Sequence, residues 1–340
     1  MVTADKLTAI ILMGFVACVV CAANGCGGHS DAMGQRADRV DLANKALKRS
    51  LELEQPSLPE IKEMLISHKL ADLEKLYADM LAQYQKDVLY ESRLAKAYEV
   101  FRLSNGFRIE DLDYWVENSG SYVAYAARGF YREHQGFDAR GGKYIDETPE
   151  SNIQEMIALH RQAARDLQQA IDMNPALMAA YSRLVAIAMA SEMPFTPLEI
   201  FQKAEKIDKR NYYVRSQYML SLRPRWGGSY DAMSEFAHYA IRYADLNPRL
   251  WSLQGEVEAD QAELQCLDKN YAAAIELYNA AMRYGEHENW LVTRAYCHLK
   301  LGHTAEATAD YKRALYYNPT EQRAFSGLAE LQSRQASTQP

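Results

Sequence analysis

The side chains best suited to recognition lie in a turn at residues 223–229. Two arginines, Arg223 and Arg225, precede Trp226 there, and two glycines follow it. A guanidinium binds a carboxylate or a phosphate, and an indole offers a rigid apolar face, so the turn is a candidate partner-binding site. Alternatively, it is a specialised linker in which Trp226 packs inside and Arg225 satisfies carbonyl groups at a helix end. Both interpretations stay open.

Glycine-bearing turns of similar character are predicted at residues 128–131 and 138–142. The first begins with Arg128, and the second contains Arg140 followed by two glycines. A helical connection needs only small residues and proline, so arginine and tryptophan exceed what a turn requires. We therefore expect the 223–229 turn to border a groove that Arg128 or Arg140 also lines.

Catalytic motifs are missing from the sequence. It contains no HExxH, GxSxG, P-loop or GxGxxG pattern, and Gly302 interrupts the helical face that His298 and His303 would need to share. Several acidic residues fall at predicted solvent positions of amphipathic helices: Asp166, Glu199, Glu205 and Glu276. We predict that the protein is not an enzyme and that it has no cofactor and no metal site.

The first residues have the character of an export signal. Lys6 precedes an apolar run at residues 7–23, and small residues follow. The run is at the lower limit of the length that spans a bilayer, so an uncleaved anchor is one alternative. The sequence predicts a signal peptide at residues 1–25.

The junction after this run, Ala23-Asn24-Gly25-Cys26, resembles the bacterial lipobox. In that family the cysteine is lipidated and becomes the mature N-terminus, which implies a lipid on Cys26. Ala23 and Asn24 depart from the usual residues, and the alternative is an ordinary secretory signal cut after Ala23. Because Gly27 is not aspartate, the resemblance implies an outer-membrane protein that faces the periplasm.

Two cysteines remain beyond the predicted lipid site, Cys266 and Cys297. They lie on predicted helices in adjacent repeats, so a disulfide is possible. A free buried cysteine on a helix is also common, and the spacing leaves the choice open.

Helical periodicity extends from about residue 58 to about 335, without a strand pattern. Residues 26–57 are predicted to be a flexible tether that contains a polar helical stretch at 38–54. Residues 58–250 are expected to form a helical domain with degenerate repeats, and 251–335 C-terminal repeats that end in a capping helix at 320–333. Residues 336–340 are expected to be a disordered tail.

The C-terminal segment resembles the tetratricopeptide repeat, a helix-turn-helix unit of about 34 residues. The signature residues at the expected spacing are Trp290, Leu291, Ala295, Gly302, Ala307, Tyr311, Ala314, Leu315 and Pro319. Small residues let paired helices approach, glycine ends the first helix and proline ends the second. We predict an all-α fold, an α-solenoid of tetratricopeptide-like hairpins.

The Arg-Trp-Gly-Gly-Ser turn and the tyrosine-rich helices before it resemble an uncharacterised bacterial domain family that often ends in such repeats. The resemblance covers roughly residues 60–250 and implies no known activity. The turn therefore identifies a family resemblance without identifying a ligand.

A binding scaffold is the function that these features favour. By the resemblance, the concave side of the best repeat carries Asn289, Val292, Tyr296, Leu299 and Lys300. We expect a protein or peptide partner in the cell envelope and a membrane attachment through the lipid. Nucleic acid is excluded as a partner because the net charge is −7 without a basic run. The alternatives are an architectural assembly factor without a discrete groove and an unrecognised envelope enzyme.

Overall fold

The computed structural model describes residues 28–142 and 147–337. Their regular structure is helical, with no strand in these ranges. None of their helices is both long and apolar enough to cross a membrane. The predicted signal peptide, Cys26 and the last residues of the expected tail lie outside the described residues.

The chain forms a succession of α-helices joined by short turns and 3₁₀ segments. The helices are α1 Gly28–Glu52, α2 Leu58–Ile66, α3 Leu70–Lys86, α4 Glu91–Glu99, α5 Ile109–Ser119, α6 Tyr122–Arg140, α7 Glu150–Met173, α8 Met178–Ala190, α9 Pro197–Ile207, α10 Tyr212–Ser221, α11 Tyr230–Ala240, α12 Glu256–Leu267, α13 Tyr271–Ala281, α14 Glu288–Lys300, α15 Thr304–Tyr317 and α16 Gln322–Ser337.

Consecutive helices pack as hairpins, most extensively α6 with α7, α8 with α9, α12 with α13 and α14 with α15. Two residues that the sequence marks as helix boundaries lie at helix ends. Thr196 and Glu199 form a capping box at the start of α9, and Gly302 ends α14 with a left-handed φ of 79°. The predicted all-α solenoid of tetratricopeptide-like hairpins is confirmed.

The predicted turn at 128–131 is wrong, because these residues lie inside α6. Gly129 and Gly136 instead let α7 approach closely. A Cβ on Gly129 would lie 2.8 Å from Leu167 Cγ, and one on Gly136 would lie 2.4 Å from His160 Cδ2. The glycines therefore serve helix packing rather than chain reversal.

Among the described residues, the buried apolar side chains form one large cluster and several smaller ones. One continuous apolar core extends from Ile61 to Leu253, whereas α12 to α16 contribute to smaller clusters. The last buried residue of the large core is Leu253. The predicted domain boundary at residue 250 remains a prediction.

The expected flexible tether is wrong for the described residues that end α1. Leu47 and Leu51 are buried in a cluster with side chains of α14 and α15. The Asn44 Oδ1 atom accepts a hydrogen bond of 2.7 Å from the backbone N–H of Glu286. The polar stretch is a helix because its small and apolar residues recur at helical spacing, and it is fixed because that stripe is covered by the C-terminal repeats.

Candidate partner-binding groove

An open groove of about 490 Å³ lies along the first helices of successive hairpins. We call it the A-helix groove. Its lining residues are Ser216, Leu220, Arg223, Glu256, Ala259, Glu263, Cys266, Leu267, Tyr278, His287, Asn289, Trp290, Thr293 and Arg323. They come mainly from α10, α12 and α14, with Tyr278 from α13 and Arg323 from the start of α16.

Helix geometry places these residues on one surface. Those on α12 recur at three- and four-residue intervals, from Glu256 through Ala259 and Glu263 to Leu267, so they share a helix face. First helices of neighbouring hairpins lie side by side, since α12 contacts α14 and α14 contacts α16. The repeat thus lines up matching faces along the groove.

The floor of the groove is apolar and its rim is polar. Ala259 and Tyr278 are each 3% exposed and Trp290 is 7% exposed, so these side chains form a fixed base. Asn289 is exposed at the rim, and Leu267 is exposed at the edge. This combination suits an occupant with both apolar side chains and hydrogen-bonding groups.

Arg223 belongs to the groove wall and is held by α12. Its guanidinium lies 3.4 Å from Glu256 Oε2, 3.1 Å from Asp260 Oδ1 and 3.1 Å from Glu263 Oε2. Three carboxylates on one helix therefore fix the arginine. The side chain of Glu263 is 44% exposed, which leaves an accessible acidic group on this wall.

Arg225 reaches two of these carboxylates, so the interpretation that it satisfies carbonyl groups at a helix end is wrong, and its contact with a partner stays a prediction. It pairs with Asp260 and lies 2.9 Å from Glu263 Oε2. It therefore satisfies carboxylates of α12 rather than carbonyl groups at a helix end, and those carboxylates already occupy it. This pairing arises because the acidic face of α12 packs against the turn in the folded protein.

Trp226 does not pack inside, contrary to the linker interpretation. It is 42% exposed and is not among the residues that line the A-helix groove. Gly227 has a φ of 87°, and a Cβ on Gly228 would lie 2.0 Å from the Leu222 carbonyl oxygen. The turn itself requires both glycines, and the indole of Trp226 lies on the surface.

The expectation that Arg128 or Arg140 lines the same groove is wrong. Arg128 is fixed between α6 and α7 by two bonds to Asp166, of 3.0 and 2.7 Å, and one of 2.8 Å to Asp113. Arg140 ends α6 and bonds to the Gly141 carbonyl oxygen at 3.2 Å. Neither is a lining residue.

Asp166 also differs from its predicted solvent position, since it is only 4% exposed. Arg132 joins Arg128 on this carboxylate at 2.6 Å. Glu205 likewise pairs with the buried Arg215 at 2.8 Å. The helical pattern placed both carboxylates on polar faces correctly, but basic residues on neighbouring helices cover those faces.

The five α14 residues predicted on the concave side divide into two groups. Asn289 lines the groove, and Tyr296 is 40% exposed with the Lys300 ammonium 4.9 Å from its ring centre. Val292 and Leu299 are 5% and 2% exposed. They pack in the core with α15, so their prediction as partner contacts is wrong.

A buried polar cluster that sequence analysis missed holds α10 in place. Glu91 Oε2 accepts from the backbone N–H of Tyr212 at 2.7 Å, and its Oε1 accepts from Asn247 Nδ2 at 3.2 Å. Arg249 Nη1 lies 3.6 Å from the same Oε1. Burial raises the pKa of Glu91 to about 7, against the opposing charge of Arg249.

A second buried cluster joins α4, α6 and α8. His134 lies between Glu133 and Glu99, at 3.0 and 3.2 Å, and Arg183 lies 3.2 Å from Glu99. Burial acts against the charged form of Glu99, but Arg183 and His134 outweigh it and hold its pKa at about 2. Burial likewise opposes charge on His134, yet the two carboxylates raise its pKa.

Histidine between carboxylates can transfer protons, but the surroundings favour a packing role. Glu133 is 1% exposed and His134 is 9% exposed, and both carboxylates are already paired with cations. No single segment of sequence signals this cluster, since its members come from three separated helices. We assign it to the stability of the fold.

The similarity of this chain to known proteins is remote. No family model matches the sequence, and no curated protein matches it. A solved tetratricopeptide repeat protein from Parabacteroides merdae is similar at 12% identity with a TM-score of 0.36. The similarity covers 85% of this chain and 99% of that one.

Proposed function

We propose that the protein is a non-catalytic scaffold whose A-helix groove binds an extended segment of a partner protein. The observation that carries the proposal is the groove itself, with its fixed floor of Tyr278 and Trp290 beneath a polar rim. Its volume of about 490 Å³ accommodates a few residues of such a segment.

The chemistry of the lining favours an uncharged or mixed segment over a free C-terminal carboxylate. Arg223 is held by three carboxylates, which compensate its charge. The clamp that grips a carboxylate in some tetratricopeptide domains needs Lys and Asn where this chain has Val292 and Tyr296. We therefore expect side-chain anchoring on the apolar floor, with hydrogen bonds to the rim.

Site-specific photocrosslinking in cells tests the proposal. A benzophenone amino acid at Thr293, which lines the groove, is expected to crosslink a discrete polypeptide. The matched control places it at Glu276, exposed on α13 and outside the lining residues. Loss of the Thr293 adduct on adding Asn289→Arg would support binding in the groove. Equal adducts at both positions, or none at Thr293, would contradict it.

We also propose that the protein is attached to the bacterial envelope through a lipid on Cys26, on the outer membrane facing the periplasm. The support is the Gly25-Cys26 junction after the apolar run at 7–23. Because the buried face of α1 includes Ala43, the segment that can serve as a tether ends before that residue. Mass spectrometry of the mature N-terminus should find a lipidated Cys26. An unmodified N-terminus at Asn24, or a chain still starting at Met1, would refute this attachment.

A further inference from the structure

Two cysteines meet where the first helices of adjacent repeats come together. Cys266 lies in the last turn of α12 and Cys297 lies within α14. Their Sγ atoms are 3.0 Å apart, only about 1 Å more than the roughly 2.05 Å of a disulfide bond. Small side-chain rotations can therefore bring the sulfurs into bonding range.

The two thiols differ in access. Cys297 is 0% exposed and packs in an apolar cluster with Ala274 and Ile275. Cys266 is half-buried and lines the A-helix groove. An external reagent can thus reach Cys266 first, because Cys297 has no exposed surface.

The hydrogen bond between the two thiols also favours Cys266 as the first thiol to react. Cys297 donates to Cys266 Sγ, which lowers the pKa of Cys266 and raises the pKa of Cys297. Burial and the nearby charge of Glu263 oppose the ionisation of Cys266. Cys266 is therefore the thiol that ionises first, although its surroundings do not make it a strongly activated one.

We propose that Cys266 and Cys297 form a disulfide that staples α12 to α14 beside the A-helix groove, and that Cys266 is the entry point for oxidation. The oxidant is an external disulfide. The Cys266 thiolate attacks one of its sulfurs, forms a mixed disulfide and releases one thiolate. Cys297 then loses its proton and attacks the Cys266 sulfur, releasing the second thiolate. The pair loses two electrons and two protons, and the oxidant is reduced to two thiols.

The bond would join positions 31 residues apart on two helices that both line the groove. It would restrict the unfolded chain and fix the spacing of α12 and α14. The proposal does not depend on what the groove binds, because it concerns the reaction of the two thiols alone.

The test uses the purified, reduced full chain and oxidised glutathione. After the remaining thiols are blocked, trypsin should yield peptide 250–269 joined to peptide 295–300. This linkage is distinct from any that involves Cys18, Cys21 or Cys26. The oxidised protein should melt about 5 °C or more above the reduced protein, and dithiothreitol should reverse the shift.

The variant Cys266→Ser, at a half-buried position, checks the order of reaction. In the folded variant, oxidised glutathione should modify Cys297, with release of one glutathione thiolate, at least about tenfold more slowly than it reacts with the wild-type pair. Separate glutathione adducts on Cys266 and Cys297, or two unreacted thiols, would overturn the proposal. A linked peptide without a change in melting temperature would overturn the staple, and equal reactivity of Cys297 in the variant would overturn the entry point.

Discussion

Replacing the buried Glu91 by glutamine should change how stability depends on pH. The carboxylate is 3% exposed and accepts hydrogen bonds from Tyr212 and Asn247. Burial raises its pKa from an ordinary 4.5 to about 7. The charged neighbours that act on it are Arg249, which favours ionisation, and Asp208, which opposes it.

The magnitude follows from proton linkage. Between pH 4.5 and about 7 the folded protein keeps a proton on Glu91 that the unfolded chain releases. Its contribution to stability is therefore fully present below pH 4.5 and is lost as pH rises through about 7. A displacement of 2.5 units, from 4.5 to 7, corresponds to about 3 kcal/mol. Glutamine does not titrate, so the variant should gain about this much relative to wild type across the window.

Urea denaturation followed by circular dichroism, from about pH 4.5 to about pH 8, measures the difference in unfolding free energy between the two proteins. Taking the difference removes groups common to both, including His134, whose raised pKa also makes stability fall as pH rises. Glu99, with a pKa of about 2, acts below this window and in the opposite direction. Glu276→Gln at an exposed position of α13 controls for the loss of one negative charge. A difference between Glu91→Gln and wild type that stays constant with pH would refute the reasoning.

Other substitutions test packing and the ends of the array. Trp226→Ala should cost only about 1 kcal/mol in urea denaturation, because the indole is 42% exposed; a loss of about 3–5 kcal/mol would instead indicate a buried core residue. Gly136→Ala should destabilise by about 1–3 kcal/mol, since its Cβ would meet the buried ring of His160. Gly142→Ala, where a Cβ meets nothing within 4 Å, is the matched control, and equal unfolding free energies for the two variants would contradict the packing. Deleting the residues after Pro319 removes α16, which covers Tyr311, and should cause aggregation in light scattering. A deletion variant that stays soluble and equally stable would show that α16 is not a cap.

Repeat architecture was predictable because its signals are local. Small residues at fixed spacing, Gly302 at a helix end and the capping box at Thr196 act within a few positions of the chain. The packing of α1 was not predictable in this way. Its apolar stripe is short, and its contacts, such as Asn44 with Glu286, are 242 residues apart in sequence.

The candidate site was less predictable because pairing depends on tertiary neighbours. The sequence leaves Arg223 and Arg225 open between recognition and a linker role, and it does not show that their charges are met by Asp260 and Glu263 on α12. Val292 was placed on the surface by the repeat resemblance, whereas α15 covers it. Periodicity defines a helix face but does not specify which neighbouring helix covers that face.

The most direct test of the central claim is the affinity of the crosslinked partner segment for the A-helix groove. Isothermal titration calorimetry with that segment as a synthetic peptide would compare wild type, Asn289→Arg and Glu276→Arg. Asn289 lines the groove beside Arg323, so a second guanidinium there should weaken binding by at least about tenfold, or about 1.4 kcal/mol. Glu276→Arg, on an exposed position outside the lining, should leave affinity unchanged. Equal affinities for all three folded proteins would contradict binding in the groove.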